Sequence, residues 1–479
     1  MRRVLSGLFF LALMWPAAIF NRIAGISAQQ RIRDVSLSVG QNQGTFLMLA
    51  DIHFDPFADD LDPRVFAQLS SRPAQDWQGI FQSSGEKSVA HDGEDANYPL
   101  LISALNAAKS SGRQYDYVLV MGDYLTHKFP QKYALYRPDG KGYENFVVKT
   151  AVFVSRMIQQ AFPTLPIYGA LGNNDSTTED YGAPGDALLG ALAKEWKIIS
   201  TDREASKDFL AGGYYALPHP TVPNAELIVL DSTFVSIRYD TPSITKGDRG
   251  ANELNWLEGK LKQAEEKRKT AILIMHIPPG IDVFESAKSG ACGEPALFWK
   301  RPYLDSFLSI INSHESALRD SYAGHIHTDD FRVFADTGGS PFLQMHIAPS
   351  ISRDHHNSPG FEIGVYDKSN GALVDYELIA LKNTPDLLGG VAEPVWGAAY
   401  DFRQESGAQA YGPETLKTFS ELIRSNDNLR QRYMNFYRAR MSSGMPINMA
   451  NWRLYSCAET EMTPDNYEQC ACPAHERNP

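Results

Sequence analysis

The run Thr45-Phe46-Leu47-Met48-Leu49-Ala50-Asp51-Ile52-His53 decides how this chain is read. Thr45–Ala50 has the length and apolar character of a buried strand, and it stops at a carboxylate and an imidazole one residue apart. The same ending recurs along the chain. Tyr117–Met121 runs into Gly122-Asp123, and Pro166–Leu171 into Gly172-Asn173-Asn174-Asp175. Ala271–Met275 ends at His276-Ile277-Pro278-Pro279, and Ser321–Ala323 gives way to Gly324-His325-Ile326-His327. Glu226–Leu230, Phe342–Ile347, Phe361–Tyr366 and Leu373–Ile379 are further strand candidates bounded by turn residues.

Amphipathic helices lie between these runs. Leu100–Lys109, Phe146–Phe162, Asp186–Trp196 and Asn252–Lys267 carry apolar residues three and four apart. Strands alternating with helices predict an α/β fold. Ala58–Glu94 is polar with few periodic apolar positions, and reads as a long loop excursion near the entrance of a site. Beyond Leu381 the pattern turns helical, at Pro413–Ser425 and Asn428–Met441, and then loop-like through three of the cysteines.

A lone Asp-x-His or His-x-His arises by chance, and a single histidine at a strand end is usually a structural hydrogen-bonder. Five strand ends supplying Asp51, His53, Asp123, Asn173, His276, His325 and His327 in succession are a ligand set for two divalent cations. The histidine share suits zinc, with iron or manganese as alternatives, where an all-oxygen set would suit calcium or magnesium. Asp123 sits between the two clusters in the chain and is the natural bridge. Such a pair clamps a phosphoryl group and turns water into a hydroxide for in-line attack on phosphorus.

These residues, in this order, resemble the calcineurin-like metallophosphoesterases and, within them, the acid sphingomyelinase-like phosphodiesterase branch. His276-Ile277-Pro278-Pro279-Gly280, the run Gly324–Phe331, Ala348-Pro349-Ser350 and Asn357–Phe361 carry that likeness. It covers about Thr45 to Ile379. It implies a four-layer α-β-β-α sandwich over residues 45–380, with a weaker match in the cysteine-bearing tail; the helical pattern past Leu381 makes residues 381–479 a Cys-bearing C-terminal extension. It further implies one metal on Asp51, His53, Asp123 and His327, and a second on Asp123, Asn173, His276 and His325. His127, four residues past the bridge, matches a family histidine near the leaving group and would act as general acid. Most of the family has a histidine after the ligand asparagine. Here Asn174 stands there, and an amide can hydrogen-bond a phosphoryl oxygen without transferring a proton. An Asn-Asn-Asp sequence at that place also resembles endopolyphosphatases of the same superfamily, whereas His327 favours the sphingomyelinase-like side.

The expected activity is therefore a phosphodiesterase-type hydrolysis of phosphoric esters. The alternatives are cleavage of phosphoanhydrides, or metal and phosphate binding with weakened turnover. The substrate expected is a small phosphorylated compound: a phosphodiester, nucleotide, lipid head group or polyphosphate. The 479 residues carry a net charge of -12, which argues against a nucleic-acid duplex as partner. Arg2-Arg3, an apolar run from Val4 to Phe20 and the small residues Ala24–Ala28 read as a secretory signal over residues 1–28. An uncleaved anchor is the alternative; the shortness of the run and Pro16 favour cleavage. Membrane contact is expected only through that segment or a lipid substrate, and the body of the protein is placed outside the cytoplasm, secreted or periplasmic. Of four cysteines, Cys457 is expected to pair with Cys470 or Cys472. His355-His356 could line the cleft, and His91 could reach it from the excursion. His346 reads as a supporting or core histidine. Asn174-Asp175-Ser176 spells a glycosylation acceptor that the site would exclude.

Overall fold

Tyr117–Met121 is buried at every position. Such a run suits a strand covered on both faces, because a sheet with one wet face alternates apolar and polar residues. The computed structural model describes residues 37–58, 61–85, 87–240, 244–245, 247–290, 292–383, 393–439 and 447–472. The expected signal segment, residues 1–28, lies outside the described residues. Among those described, no helix is long and apolar enough to cross a membrane.

Twelve strands are present: β1 Gln43–Leu49, β2 Tyr117–Met121, β3 Ile167–Ala170, β4 Tyr215–Pro218, β5 Ala225–Val229, β6 Thr270–Ile274, β7 Leu318–Ala323, β8 Asp330–Ala335, β9 Pro341–Ile347, β10 Gly360–Asp367, β11 Leu373–Leu381 and β12 Trp396–Asp401. They form two six-stranded sheets, ordered β12-β11-β10-β1-β2-β3 and β4-β5-β6-β7-β9-β8. In the first sheet β1, β2 and β3 run parallel, with Leu47 opposite Val118 and Leu119 opposite Tyr168. In the second, β5, β6, β7 and β9 run parallel, and β4 and β8 are antiparallel edges. Parallel neighbours finish at the same end of a sheet, which is why residues following β1, β2, β3, β6 and β7 can meet.

Alternation along β5 and β6 shows how the layers stack. Leu227, Val229, Ile272 and Ile274 join Phe46, Tyr117 and the rest of the core of the first sheet. Their neighbours Ile228, Leu273 and Met275 face the other way, onto Leu254, Leu257 and Leu261 of the helix Arg249–Glu266 and onto Phe307 of the helix Arg301–Ser313. Helices cover the first sheet's outer face likewise, so the expected α-β-β-α layering holds.

Three features differ from the expectation. The excursion Ala58–Glu94 contains two helices, Pro63–Ser71 and Trp77–Ser84. Asp62 caps the first and Pro63 starts it, but the apolar positions are few and large, so periodicity was thin. Phe66, Trp77 and Phe81 bury themselves against Phe146 and Phe153. β4 and β8 carry weak strand patterns and form as edges on better strands. β12 lies in the stretch read as helical; Trp396-Gly397-Ala398-Ala399 has little strand propensity and gains its ladder from β11. The described residues all belong to one compact unit, Ile32–Pro479.

Disulfides join Cys457 to Cys470 and Cys292 to Cys472. The first staples the short helices Trp452–Ala458 and Pro464–Ala471. The second closes a separation of 180 residues, tying the end of the described chain to the loop after the helix Val283–Ser289.

Candidate metal centre

The strand ends bring Asp51, His53, Asp123, Asn173, His276, His325 and His327 into one cluster, in which Asp51, His53 and His276 have no exposed surface. Backbone bonds lock the ends together: Asp51 N–H donates to Gly122 O at 3.2 Å, and Gly324 N–H to His276 O at 3.0 Å. His325 N–H lies 2.9–3.0 Å from both oxygens of Asp51, joining the first sheet to the second.

The backbone turns sharply to aim these side chains. Asp51, His53, Asp123, His325 and His327 have φ of 48°, 45°, 55°, 76° and 61°. Left-handed backbone at a non-glycine residue costs about 1–3 kcal/mol and persists only where the surroundings impose it. Gly122, at φ 87°, precedes the central carboxylate because a Cβ there would sit 2.8 Å from Gly172 N and 2.9 Å from His276 Nδ1.

Lone pairs converge inside the cluster. His53 Nδ1 donates to Leu125 O at 2.9 Å, so in the neutral ring the lone pair sits on Nε2, which faces His327 Nε2 at 3.0 Å. His276 Nδ1 donates to Met121 O at 2.7 Å, and its Nε2 faces Asn173 Oδ1 at 3.1 Å. The Asn173 amide is oriented by its NH2 group, which donates to Asp180 Oδ1 at 2.6 Å. Asp123 Oδ2 lies 3.3 Å from His53 Nε2 and 3.1 Å from His276 Nε2. With neutral rings these atoms face one another acceptor to acceptor, an arrangement that suits a cation between them and that protonation relieves in the metal-free protein. Two donor triads, Asp51/His53/Asp123 and Asp123/His276/His325, share the Asp123 carboxylate.

Electrostatics agree. Burial opposes charge on both rings, but Asp123 and Asp51 with their other neighbours together outweigh it, lifting His53 to about 10 and His276 to about 9 in the metal-free protein. Burial and neighbouring histidines hold His325 and His327 well below the usual histidine range. Asp123 is itself buried, yet His276 and His53 keep its carboxyl far below the ordinary carboxylate value. The pocket is thus built to hold positive charge.

His127 lies over His53, rings stacked with centroids 3.9 Å apart, and its side chain is 24% exposed. Its Nδ1 is 3.0 Å from Asp95 Oδ1, and its backbone N–H donates to Asp95 Oδ2 at 2.8 Å. Asp95 also accepts from Thr126 Oγ1 at 2.6 Å and Ser352 Oγ at 2.8 Å. Burial pushes Asp95 up, but the His127 bond and the charges of His127, His53 and Lys132 hold it well below the carboxylate range. Nothing in the sequence marks Asp95, which directly follows the polar excursion; only its contact with His127 reveals it.

Asn174 is turned inward and is not on the cavity wall. Its backbone N–H donates to Asp123 Oδ1 at 2.8 Å and its amide to Oδ2 at 3.0 Å. The expected approach to a phosphoryl group is redirected because the loop folds back. Asp175 Oδ2 accepts from Gly172 N–H at 2.8 Å, and Oδ1 accepts from Tyr124 and Leu125 N–H. Asp175 and Ser176 are buried, which excludes a glycan at this acceptor sequence.

Two hollows meet at the cluster. One, about 670 Å³, reaches Asp123, Asn173, His325 and His327 and is walled by Tyr181, Phe284, Phe298 and His355. The other, about 800 Å³, is lined by Asp95, Lys128, Lys132 and Glu179. His127, Asp180 and Asp354 line both, so His127 stands at the junction. His355 packs edge-on to His327 at 4.3 Å, and His356 faces Asp92 at 3.1 Å; both line the first hollow. His91 lines neither. His346 is a core residue, between Glu362 Oε2 at 2.6 Å and Tyr411 Oη at 3.1 Å.

The family model for calcineurin-like phosphoesterases matches residues 44–329. Acid sphingomyelinase-like phosphodiesterase 3b of Homo sapiens is 24% identical over 443 residues, covering 89% of this chain and 90% of that protein. Cyclic GMP-AMP phosphodiesterase SMPDL3A of Homo sapiens is 24% identical over 437 residues, covering 89% and 90%. Sphingomyelin phosphodiesterase of Homo sapiens is 29% identical over 279 residues, 55% of this chain and 40% of that protein.

Proposed function

Because this chain belongs to the calcineurin-like phosphoesterases and is a phosphoric-ester hydrolase, we propose that it cleaves small phosphodiesters at a two-metal centre held by Asp51, His53, Asp123, Asn173, His276, His325 and His327. The supporting observation is the convergence of ligand atoms, His53 Nε2 on His327 Nε2 and His276 Nε2 on Asn173 Oδ1, around the single carboxylate of Asp123. Divalent cations bound there supply Lewis acidity toward phosphoryl oxygens and lower the pKa of water. Zinc fits the imidazole-rich set, with iron and manganese as alternatives.

The chain's own residues do the rest. Asp123 gathers both halves of the donor set, and Asn174 holds Asp123 in place through two hydrogen bonds. His127 has its Nδ1 proton held by Asp95, and the residue lines both hollows. When Nε2 also carries a proton, it gives that proton to the departing oxygen and keeps the Nδ1 proton on Asp95. This division of labour suits an alkoxide leaving group without a histidine at position 174. Two disulfides support an oxidising, extracytoplasmic location.

The decisive test is Asp123→Asn. The expected result is loss of at least one metal per chain and a fall of about 1,000-fold or more in hydrolysis of bis(4-nitrophenyl) phosphate, as expected when an electrostatic centre is dismantled. Full metal content with full activity would falsify the assignment. Phosphoanhydride cleavage is the second reading, motivated by Asn174. A substrate panel in which polyphosphate turns over faster than any diester would favour it.

A further inference from the structure

Arg238 is the one permanently cationic side chain among the described residues lining the 670 Å³ hollow. Its guanidinium lies 5.4 Å from the centroid of the Tyr181 ring, and that ring is 6.3 Å from His325, so the cation stands one aromatic ring beyond the metal cluster. Its charge is felt at His325, where it disfavours protonation. The backbone beneath it is anchored: Ile237 N–H donates to Phe298 O at 2.9 Å, and Arg238 N–H to Ser236 Oγ at 3.2 Å. Phe298 packs edge-on to His325 at 5.3 Å, which ties this segment to the cluster.

Among the described residues the nearest carboxylate oxygen to the guanidinium is Glu285 Oε1, at 3.8 Å, beyond hydrogen-bonding range. The side chain is 55% exposed and its fork of N–H donors is not consumed by a bidentate partner. The acidic side chains on this wall are Asp123, Asp180, Asp282, Glu285 and Asp354. Among the permanently charged side chains of this wall, Arg238 alone would attract an entering anion.

Resting on the proposed two-metal diesterase, we propose that Arg238 is a specificity residue that binds a second anionic group of the substrate, a phosphate beyond the one being cleaved. Tyr181 lies within cation–π range of the guanidinium, and the planar fork matches a phosphate bidentately. Phe284, 45% exposed on the same wall, offers an apolar face to the part of the substrate between the two phosphates.

The test compares 4-nitrophenyl thymidine 5′-phosphate with the same ester carrying a 3′-phosphate, using intact protein with its metal content measured. For Arg238→Ala the expected result is a rise of about tenfold in KM for the 3′-phosphorylated ester, with kcat within about twofold. The ester lacking the 3′-phosphate should change by less than about twofold in either constant, and Arg238→Lys should recover part of the loss. Equal changes for both esters, or none for either, would overturn the proposal. A fall in kcat with both esters at unchanged metal content would place Arg238 at the scissile phosphate, which also overturns it. Calorimetric binding of thymidine 3′,5′-bisphosphate against thymidine 5′-phosphate needs no turnover. It therefore separates failure of this assignment from failure of the diesterase reading: preference for the bisphosphate should vanish in Arg238→Ala, and its persistence refutes the role.

Discussion

Replacing Asp95 by asparagine would remove one charge from beside His127 while keeping nearly the same shape. Asp95 Oδ1 accepts from His127 Nδ1 and Ser352 Oγ, and Oδ2 from Thr126 Oγ1 and the His127 backbone N–H. An asparagine with its oxygen toward Nδ1 puts an NH2 group against that backbone N–H, donor against donor. Hydrogen bonds to charged groups are worth about 1.5–3 kcal/mol, and each 1.4 kcal/mol is tenfold in rate. If His127 protonates the leaving oxygen, a dialkyl phosphate ester should lose about 10- to 150-fold in kcat/KM. Bis(4-nitrophenyl) phosphate, whose leaving group needs no proton, should lose less than about threefold, and His127→Ala should show the same contrast more steeply. The assay is a pair of kcat/KM values per variant, with metal content checked. Equal losses on both esters would remove the acid role from the His127–Asp95 pair. Stability carries a second signature. The folded-state value of Asp95 is depressed, so its contribution is present above the unfolded carboxylate value of about 3.9 and is lost as pH falls through the lower folded value. The stability gap between wild type and Asp95→Asn, read by denaturant titration, should therefore close in acid and stay constant near neutrality.

Metal removal by a chelator should leave His53 and His276 protonated at neutral pH, because their metal-free values are raised to about 10 and about 9. Re-adding zinc at pH 7 should then release protons, detected as a dependence of the calorimetric heat on buffer, and affinity should climb as pH rises toward 9; a heat independent of buffer would contradict this. Gly122→Ala forces a Cβ to 2.8 Å from Gly172 N at a φ of 87°, so metal content and thermal midpoint should both drop. Unchanged metal stoichiometry in that variant would show that the turn is not what seats Asp123.

Much of the clustered His, Asp and Asn set was legible because the proposed ligands follow strands in the chain. Local apolar runs ending in Asp51-x-His53, Gly122-Asp123, Gly172-Asn173, His276 and Gly324-His325-x-His327 carry their meaning in a few consecutive residues. Strand apolarity and turn residues are short-range properties, so layering, most strands and the ligand types follow from them. Helices at Pro63–Ser71 and Trp77–Ser84 escaped because two or three large aromatics replace a periodic stripe. β12 escaped because an edge strand can borrow its ladder from a better neighbour.

What the amino-acid order could not contain is the set of distances that turn residues into chemistry. Asp95 reaches His127 from 32 positions away, and Asn174 bends onto Asp123 when a phosphoryl group was the expected partner. Arg238 and Tyr181 become one surface only when two separate loops meet beside His325. Cys292 finds Cys472 across 180 residues. Residue type and local pattern are written along the chain, so sequence determined which groups were available and the strands that carry them. Partner choice, burial and charge balance depend on what folds alongside, and only the packed sheets decided those.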